Sequence, residues 1–326
     1  MKKTIVRILS CALGFALFLY GSIAHASEEK EKSERDYIRW VDFTPTAEAM
    51  RDALAYDIST YGGSSHEKMS SVLAAVAAVR GGNFKGYKKA DTENALSRGD
   101  GVTLDEKYGE KKLYRYYKEA YSAVFDGMVC SYREYSGGAF TEKYGLCAYS
   151  PIAEGYYYTD YDDFGDSRSF GYKREHLGHD IMGSVGTPII AVESGYVEAC
   201  GWNMYGGWRL GIRSFDGKRY YYYAHLRKGH PYADMYEGKI VDAGEVIGYL
   251  GMTGYSRKED TNNINTPHLH YGLELIFDKS QKDGNVQIWL DMYELTKFLS
   301  SERAKTEACG KERVSSEYRI PEYMWD

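Results

Sequence analysis

The chain is poor in cysteine, with five in 326 residues and no C-x-x-C pair, which argues against a thiolate metal site. Cys11 falls in an N-terminal apolar run, leaving Cys130, Cys147, Cys200 and Cys309 with three pairings open to them, or a life as buried free thiols. Positive charge is not in excess either. Lys and Arg number 41 against 47 Asp and Glu, a formal charge of −6 that becomes −9 without Lys2, Lys3 and Arg7, so nucleic acid is excluded as a partner. The one extended apolar run covers residues 8–23, after a basic start and before Ala24-His25-Ala26. Basic, apolar and A-x-A parts in that order predict a signal peptide, residues 1–26, or an N-terminal anchor if cleavage after Ala26 does not occur. A membrane is a partner only in the second case. Cys11 lies within the run and not at its end, which speaks against a lipoprotein signal.

The remaining chain of about 300 residues is long enough for two cores, and its composition changes midway. Residues 27–136 read as a helical domain. Thr44 as N-cap and Pro45 at the first helical position open a stripe of Ala47, Met50, Leu54, Ile58 and Tyr61 that stops at Gly62-Gly63. Ser64 and Glu67 have capping-box spacing before Met69, Val72, Leu73, Val76 and Val79, with Gly81-Gly82 as the stop. Leu113, Tyr117, Tyr121, Val124, Phe125 and Met128 form a third stripe. These stripes read as core, and His66 as a solvated residue at a helix start.

From Gly137 glycine punctuates short β-branched and aromatic runs, the pattern of an antiparallel β domain over 137–310. Asp216-Gly217 between two such runs predicts a type I′ hairpin. Tyr220, Tyr221, Tyr222 and Tyr223 should alternate faces, two buried and two toward solvent or a groove. Residues 288–306 are amphipathic and predict a helix packed on the sheet, and 311–326 a polar tail. The fold class is α+β, multidomain.

Two stretches hold most of the metal-capable side chains. In Pro267-His268-Leu269-His270 a strand would turn both imidazoles to one face and Leu269 to the packing. In His176-Leu177-Gly178-His179-Asp180 an extended chain would hold the outer Cα atoms about 13 Å apart, too far to share an ion. Gly178 would let the chain bend, bringing imidazole and carboxylate to the distances of about 2.0–2.2 Å that zinc needs. Either pair taken alone also fits a solvated or core-satisfied role; the combination singles out a site.

These residues resemble the lysostaphin-like zinc metallopeptidases of bacterial peptidoglycan. The resemblance rests on His176-x-Gly178-x-Asp180, Gly186-Thr187-Pro188, Tyr223-Ala224-His225-Leu226, Thr253-Gly254 and Pro267-His268-Leu269-His270, five motifs in order over roughly residues 145–277. It implies a β metallopeptidase domain of the duplicated hybrid motif type. It also implies one zinc on His176, Asp180 and His270 with an open position for water, and His225 and His268 as general base and oxyanion stabiliser, in either order. There is no H-E-x-x-H glutamate to take the base's part. The implied protein is a secreted or wall-associated endopeptidase acting on stem or cross-link peptides. A non-catalytic wall-binding module on the same fold and a zinc carboxypeptidase are the alternatives. His179 is expected to be solvated, with a role in orienting Asp180 as the alternative, and His230 to be a loop residue. Tyr172, four residues before His176, is a candidate for the oxyanion. Two stretches, 228–237 and 255–266, are longer than the family's pattern and are expected to rim the groove, with Arg257, Lys258 and the asparagines near substrate.

Overall fold

The first helix begins two residues later than Thr44 and Pro45 suggest, because the side chain that meets a free helical N–H is that of Thr46, 3.2 Å from the Ala49 nitrogen. Thr44 instead donates its hydroxyl to the Gly82 carbonyl at 2.7 Å. The computed structural model describes residues 37–99, 101–282 and 286–325, so the apolar run with Cys11 and His25 lies outside the described residues. Residues 1–38 and 39–326 separate as two units, and every element described below belongs to the second.

Helix α1 (Ala47–Thr60) buries Ala49, Met50, Ala53 and Asp57, while Ile58, expected in the stripe, is 43% exposed. The face is set by Asp57. Its carboxylate accepts from the Met69 N–H at 2.7 Å and the Tyr144 hydroxyl at 2.7 Å, and lies 2.8 Å from His66 Nε2. His66 is therefore tied to a buried acceptor and not solvated. Helix α2 (Met69–Arg80) is capped by Gly81 in the left-handed region, φ 65°, as the sequence suggests. Glu67 does not close a capping box on α2. It accepts from the Leu104 N–H at 2.6 Å, at the start of another helix. Helices α3 (Lys89–Leu96) and α4 (Leu104–Tyr108) are short, and α5 (Lys112–Phe125) packs along α2. The buried stripe of α5 starts at Tyr114 and not Leu113, which is 44% exposed.

Strands β1 (Val129–Ser136) and β2 (Ala139–Leu146) form a hairpin whose turn is Gly137-Gly138, both at positive φ. The boundary expected at 136/137 falls in that turn. The other edge of β1 is filled by β17 (Glu317–Pro321), with Arg319 opposite Glu134 and bonded to it at 3.0 Å. Residues 311–326 thus hold strands where a polar tail was expected, because Arg319 is buried against Glu134 and the carbonyls of Leu146 and Ala148.

The main sheet is antiparallel. Its order is β11 (Ile240–Val241), β8 (Gly195–Asn203), β9 (Gly207–Ser214), β10 (Arg219–Ala224), β13 (His268–Leu275), β6 (His179–Met182) and β3 (Thr159–Asp160). Strand β14 (Ile288–Trp289) adds to β13, and β7 (Pro188–Ile190) pairs with β12 (Val246–Tyr249) apart from it. Two-residue strands β4 (Ser167–Arg168) and β5 (Arg174–Glu175) pair ahead of β6, and β15 (Thr306–Cys309) pairs with β16 (Glu312–Ser315) near the C-terminus. The β9–β10 hairpin is longer than a type I′ turn. The Gly217 N–H bonds the Ser214 carbonyl at 2.9 Å and only Gly217 has positive φ, because Asp216 Oδ1 accepts from the Ser214 hydroxyl and the Lys218 N–H. The segment 288–306 is helical only over α6 (Tyr293–Leu299), its first residues being taken by β14.

One buried ion pair fastens α5 to the sheet. Arg219 and Glu193, 1% and 2% exposed, bond through two parallel N–H···O contacts of 2.7 and 2.8 Å, and Arg219 also donates to the Ala123 carbonyl at 2.5 Å. Gly127 makes room, since a Cβ there would stand 1.9 Å from Arg219 Nη2. Removing Glu193 leaves a buried guanidinium with only the more exposed Asp216 carboxylate, 3.1 Å from Nη2, to offset it. Glu193→Ala is expected to lower the unfolding free energy by about 3–5 kcal/mol, measured by denaturant titration; a loss below about 1 kcal/mol, the scale of an exposed pair, would refute this account.

Candidate metal centre and cleft

Strand β13 alternates as a two-faced strand should. Leu269, Tyr271, Leu273 and Leu275 are buried on one side; His268, His270, Gly272 and Glu274 occupy the other. Register with β6 puts Asp180 directly opposite His270. His176, one residue beyond β5, reaches the same point. Its Nε2 is 2.8 Å from His270 Nδ1 and 3.0 Å from Asp180 Oδ1, and His270 Nδ1 is 3.0 Å from Asp180 Oδ1.

Three donor atoms at mutual distances of 2.8–3.0 Å fit one small cation. A point about 2 Å from each lies to one side of their plane, which leaves a face for a fourth group. Two imidazoles and one carboxylate form a donor set that suits zinc.

Gly178 serves this site by its size. Its φ is not in the left-handed region, but a Cβ there would stand 2.5 Å from His270 Cε1 and 2.7 Å from Nε2. The expected bend is there, at Gly178 itself, and close approach of the His270 ring is a second reason for glycine. Gly178→Ala is accordingly expected to weaken metal binding about tenfold or more, since overpacking costs about 1–3 kcal/mol. Competition with a chelating dye measures it, and unchanged affinity would show that the ring shifts freely.

Behind the triangle is a set of groups that the sequence pattern did not reveal. Asp163 is buried, its carbonyl 3.0 Å and its Oδ2 3.3 Å from His176 Nδ1. Arg168 Nη2 donates to Asp163 Oδ2 at 3.0 Å and Asp180 Oδ2 at 3.1 Å. His179 is not solvated. It stands opposite Tyr271 on the packed face, 1% exposed, with Nε2 3.0 Å from Asp160 Oδ2 and Nδ1 3.7 Å from Asp163 Oδ1.

The electrostatics follow from this packing. Burial would push the His176 imidazole down and the Asp163 carboxyl up, but hydrogen bonding between opposite charges outweighs it, leaving His176 raised to about 9 and Asp163 lowered to about 2. Asp180 is likewise held below the ordinary carboxylate range against its burial, by His176 and His270.

His225 and His268 stand beside the triangle, outside it. Their ring centroids are 4.7 Å apart, and His268 Nε2 is 3.7 Å from Asp180 Oδ1. Each turns Nδ1 to a backbone carbonyl, His225 to Thr253 at 2.8 Å and His268 to Thr266 at 2.9 Å. A carbonyl only accepts, so Nδ1 carries the proton and the Nε2 lone pair stays free in the neutral ring. His225 holds this position at φ 62°, with its N–H bonded to the Gly206 carbonyl at 2.7 Å. Burial first, then nearby His268 and His270, depress its pKa well below the ordinary histidine value.

A cavity of about 520 Å³ is lined by the triangle and by His225, while His268 lies outside its lining. Tyr220 and Tyr222 line it while Tyr221 and Tyr223 are buried behind, the alternation that the sequence suggests. Tyr172 does not line it. That side chain is exposed, its ring 6.0 Å from Tyr205, and Tyr205 and Tyr255 face the cavity instead. From residues 255–266 only Tyr255 is in the lining; Arg257, Lys258 and the asparagines are not. Asp260 turns away to accept from the Trp208 indole and the Gly229 N–H. His230 lies outside the cavity, stacked on Tyr249 and 3.6 Å from Glu312 Oε1. The four cysteines of the described residues are free thiols.

A His-Asp-His triangle open on one side, with two imidazoles presenting free Nε2 atoms beside it and a cleft above, defines a candidate centre for metal-dependent hydrolysis. Residues 174–283 match the model of peptidase family M23, a span that includes all five of these side chains, so the chain carries an M23 domain. It is 41% identical over 126 residues to the L-Ala–D-Glu endopeptidase of Bacillus subtilis, covering 38% of this chain and 36% of that protein. Over 97 residues it is 37% identical to lysostaphin of Staphylococcus simulans, covering 29% and 17%. The chain thus matches about a third of the first relative's length and under a fifth of the second's. Among solved structures, the lysostaphin catalytic domain from Staphylococcus simulans aligns at 30% identity and TM-score 0.32 over 43% of this chain and 92% of that one.

Proposed function

We propose that the chain is a zinc-dependent endopeptidase that hydrolyses peptide bonds in bacterial peptidoglycan, exported through residues 1–26 and built on a duplicated-hybrid-motif scaffold. The observation that carries this is the triangle of His176, Asp180 and His270 with two base-competent imidazoles beside it, His225 lining the same cleft and His268 packed 4.7 Å from His225 between ring centroids. The name of the Bacillus subtilis relative, L-Ala–D-Glu endopeptidase, points to peptide bonds as the substrate.

His176, Asp180 and His270 would hold the zinc. When bound, it polarises the scissile carbonyl and lowers the pKa of water from about 15.7 toward about 7. His225 and His268 do the proton and charge work. A neutral Nε2 takes the proton from attacking water; the other, protonated, donates to the developing oxyanion or the leaving amine. Asp163 holds the His176 ring by its Nδ1, and Arg168 offsets the charge of Asp180. The helical segment targets, spaces or restrains the peptidase without supplying a reacting group.

A non-catalytic wall-binding module is disfavoured because both the ligand set and the imidazole pair are complete. The test is digestion of purified peptidoglycan of defined cross-link by the zinc-loaded chain, with and without chelator, followed by mass mapping. Chelator-sensitive release of peptides cut at an internal bond is expected. Release of terminal residues alone would make it a carboxypeptidase, and no release would return the reading to a binding module.

A further inference from the structure

Arg209 lies on β9, two strands from the β13 strand that carries His270. Asp180 pairs with His270, His270 with Ala224, and Arg209 with Gly201. The β9–β10 ladder ends with Tyr223 opposite Leu210, and Arg209 is the next residue of β9, on the same face as Gly211, which is opposite Tyr222. Alternate residues of a strand share a face, and β9 and β13 stand two strand spacings, about 10 Å, apart. Arg209 lines the cavity.

The other cations of the cleft have partners. Arg213 makes two bonds of 2.9 Å to Glu198, and Lys282 lies 3.1 Å from the same carboxylate. Arg168 is held by Asp163 and Asp180, and Arg174 donates to the Phe170 carbonyl at 2.9 Å. Among the described residues no carboxylate lies within ion-pair distance of Arg209. Its Nη1 is buried without a hydrogen-bond partner, as is that of Arg213, whose other nitrogens Glu198 holds. A guanidinium is a five-donor fork matched to a carboxylate, and a buried N–H left unmade destabilises the fold unless something else supplies the acceptor.

We propose that Arg209 reads a substrate carboxylate, and that the cleft takes acidic peptides bearing a free carboxylate within about two residues of the bond cut, as an extended chain advances about 3.3–3.6 Å per residue. This rests on the endopeptidase reading for the word substrate. Acidic stem peptides fit such a cleft and neutral glycine bridges do not, because glycine offers no side-chain or branch carboxylate to the fork.

The test uses the full chain with zinc and two synthetic stem peptides, one with a free carboxylate on the residue after the scissile bond and one with that group amidated. Dissociation constants are read by calorimetry in a His268→Ala background, and kcat/KM in the unmodified chain. The acid is expected to bind about tenfold or more tightly than the amide, as expected for a charge-assisted pair. Arg209→Gln should bring the ratio close to one, and Arg209→Lys should restore part of it. An acid-to-amide ratio near one in the unmodified chain overturns the proposal whatever the variants do, as does a ratio that Arg209→Gln leaves in place. If the acid binds through Arg209 but neither peptide is cut, the endopeptidase reading falls and the carboxylate site stands. If both are cut and bound alike, the reverse holds.

Discussion

His270→Ala is expected to leave the purified full chain without stoichiometric zinc. The side chain supplies one of three donor atoms, and its Nδ1 lies 2.8 Å from His176 Nε2 and 3.0 Å from Asp180 Oδ1. Losing it leaves one imidazole and one carboxylate of the triangle, a two-donor set short of what a zinc site needs. Loss of a partner behind a ligand typically costs about 10–100-fold in affinity, so loss of a ligand should cost more. Asp163→Asn supplies the comparison, because its carboxylate touches His176 and Arg168 but is not a corner of the triangle. Metal analysis after dialysis against a weak chelator should rank the unmodified chain above Asp163→Asn and that above His270→Ala. A His270→Ala chain that keeps one zinc per molecule would sink the assignment.

What could be read in advance depended on periodicity. Strand β13 carries His268 and His270 at a spacing of two with Leu269 between, and a two-residue period leaves little choice about faces. The four tyrosines of β10 sort the same way. Asp163, Arg168 and the true surroundings of His179 could not be read, because residues 151–175 contribute only two-residue strands and a run of acidic and aromatic residues without period. Their partners are set by how that segment folds back over β6. The helices were legible as helices, yet their faces shifted where a polar residue is buried. Asp57 is counted as surface by any hydrophobic pattern, but it faces inward because it satisfies Met69, His66 and Tyr144 together. At Gly178 only half of the physical reason was legible. A glycine suggests a bend from sequence alone; that a ring packs over it depends on a strand ninety residues away.

His225→Ala and His268→Ala should separate chemistry from metal binding. Neither residue belongs to the His176, Asp180, His270 triangle, and the His225 ring centroid is 5.9 Å from that of His270. Both variants should therefore retain zinc. Each loses an Nε2 whose tautomer is fixed by a backbone carbonyl, the Thr253 carbonyl for His225 and the Thr266 carbonyl for His268. General acid–base catalysis contributes about 10²–10⁴-fold and an oxyanion donor about 10²–10³-fold, so kcat should fall by two to four orders of magnitude, on the order of those contributions. If the two rings act as a unit, the double variant should be little worse than the poorer single one, because groups that serve one transition state are not additive. Single-turnover hydrolysis of a stem peptide, paired with metal analysis on the same sample, reads both quantities. Turnover near the unmodified rate in either variant, or zinc lost as readily as in His270→Ala, would show that the roles of the five side chains are divided differently.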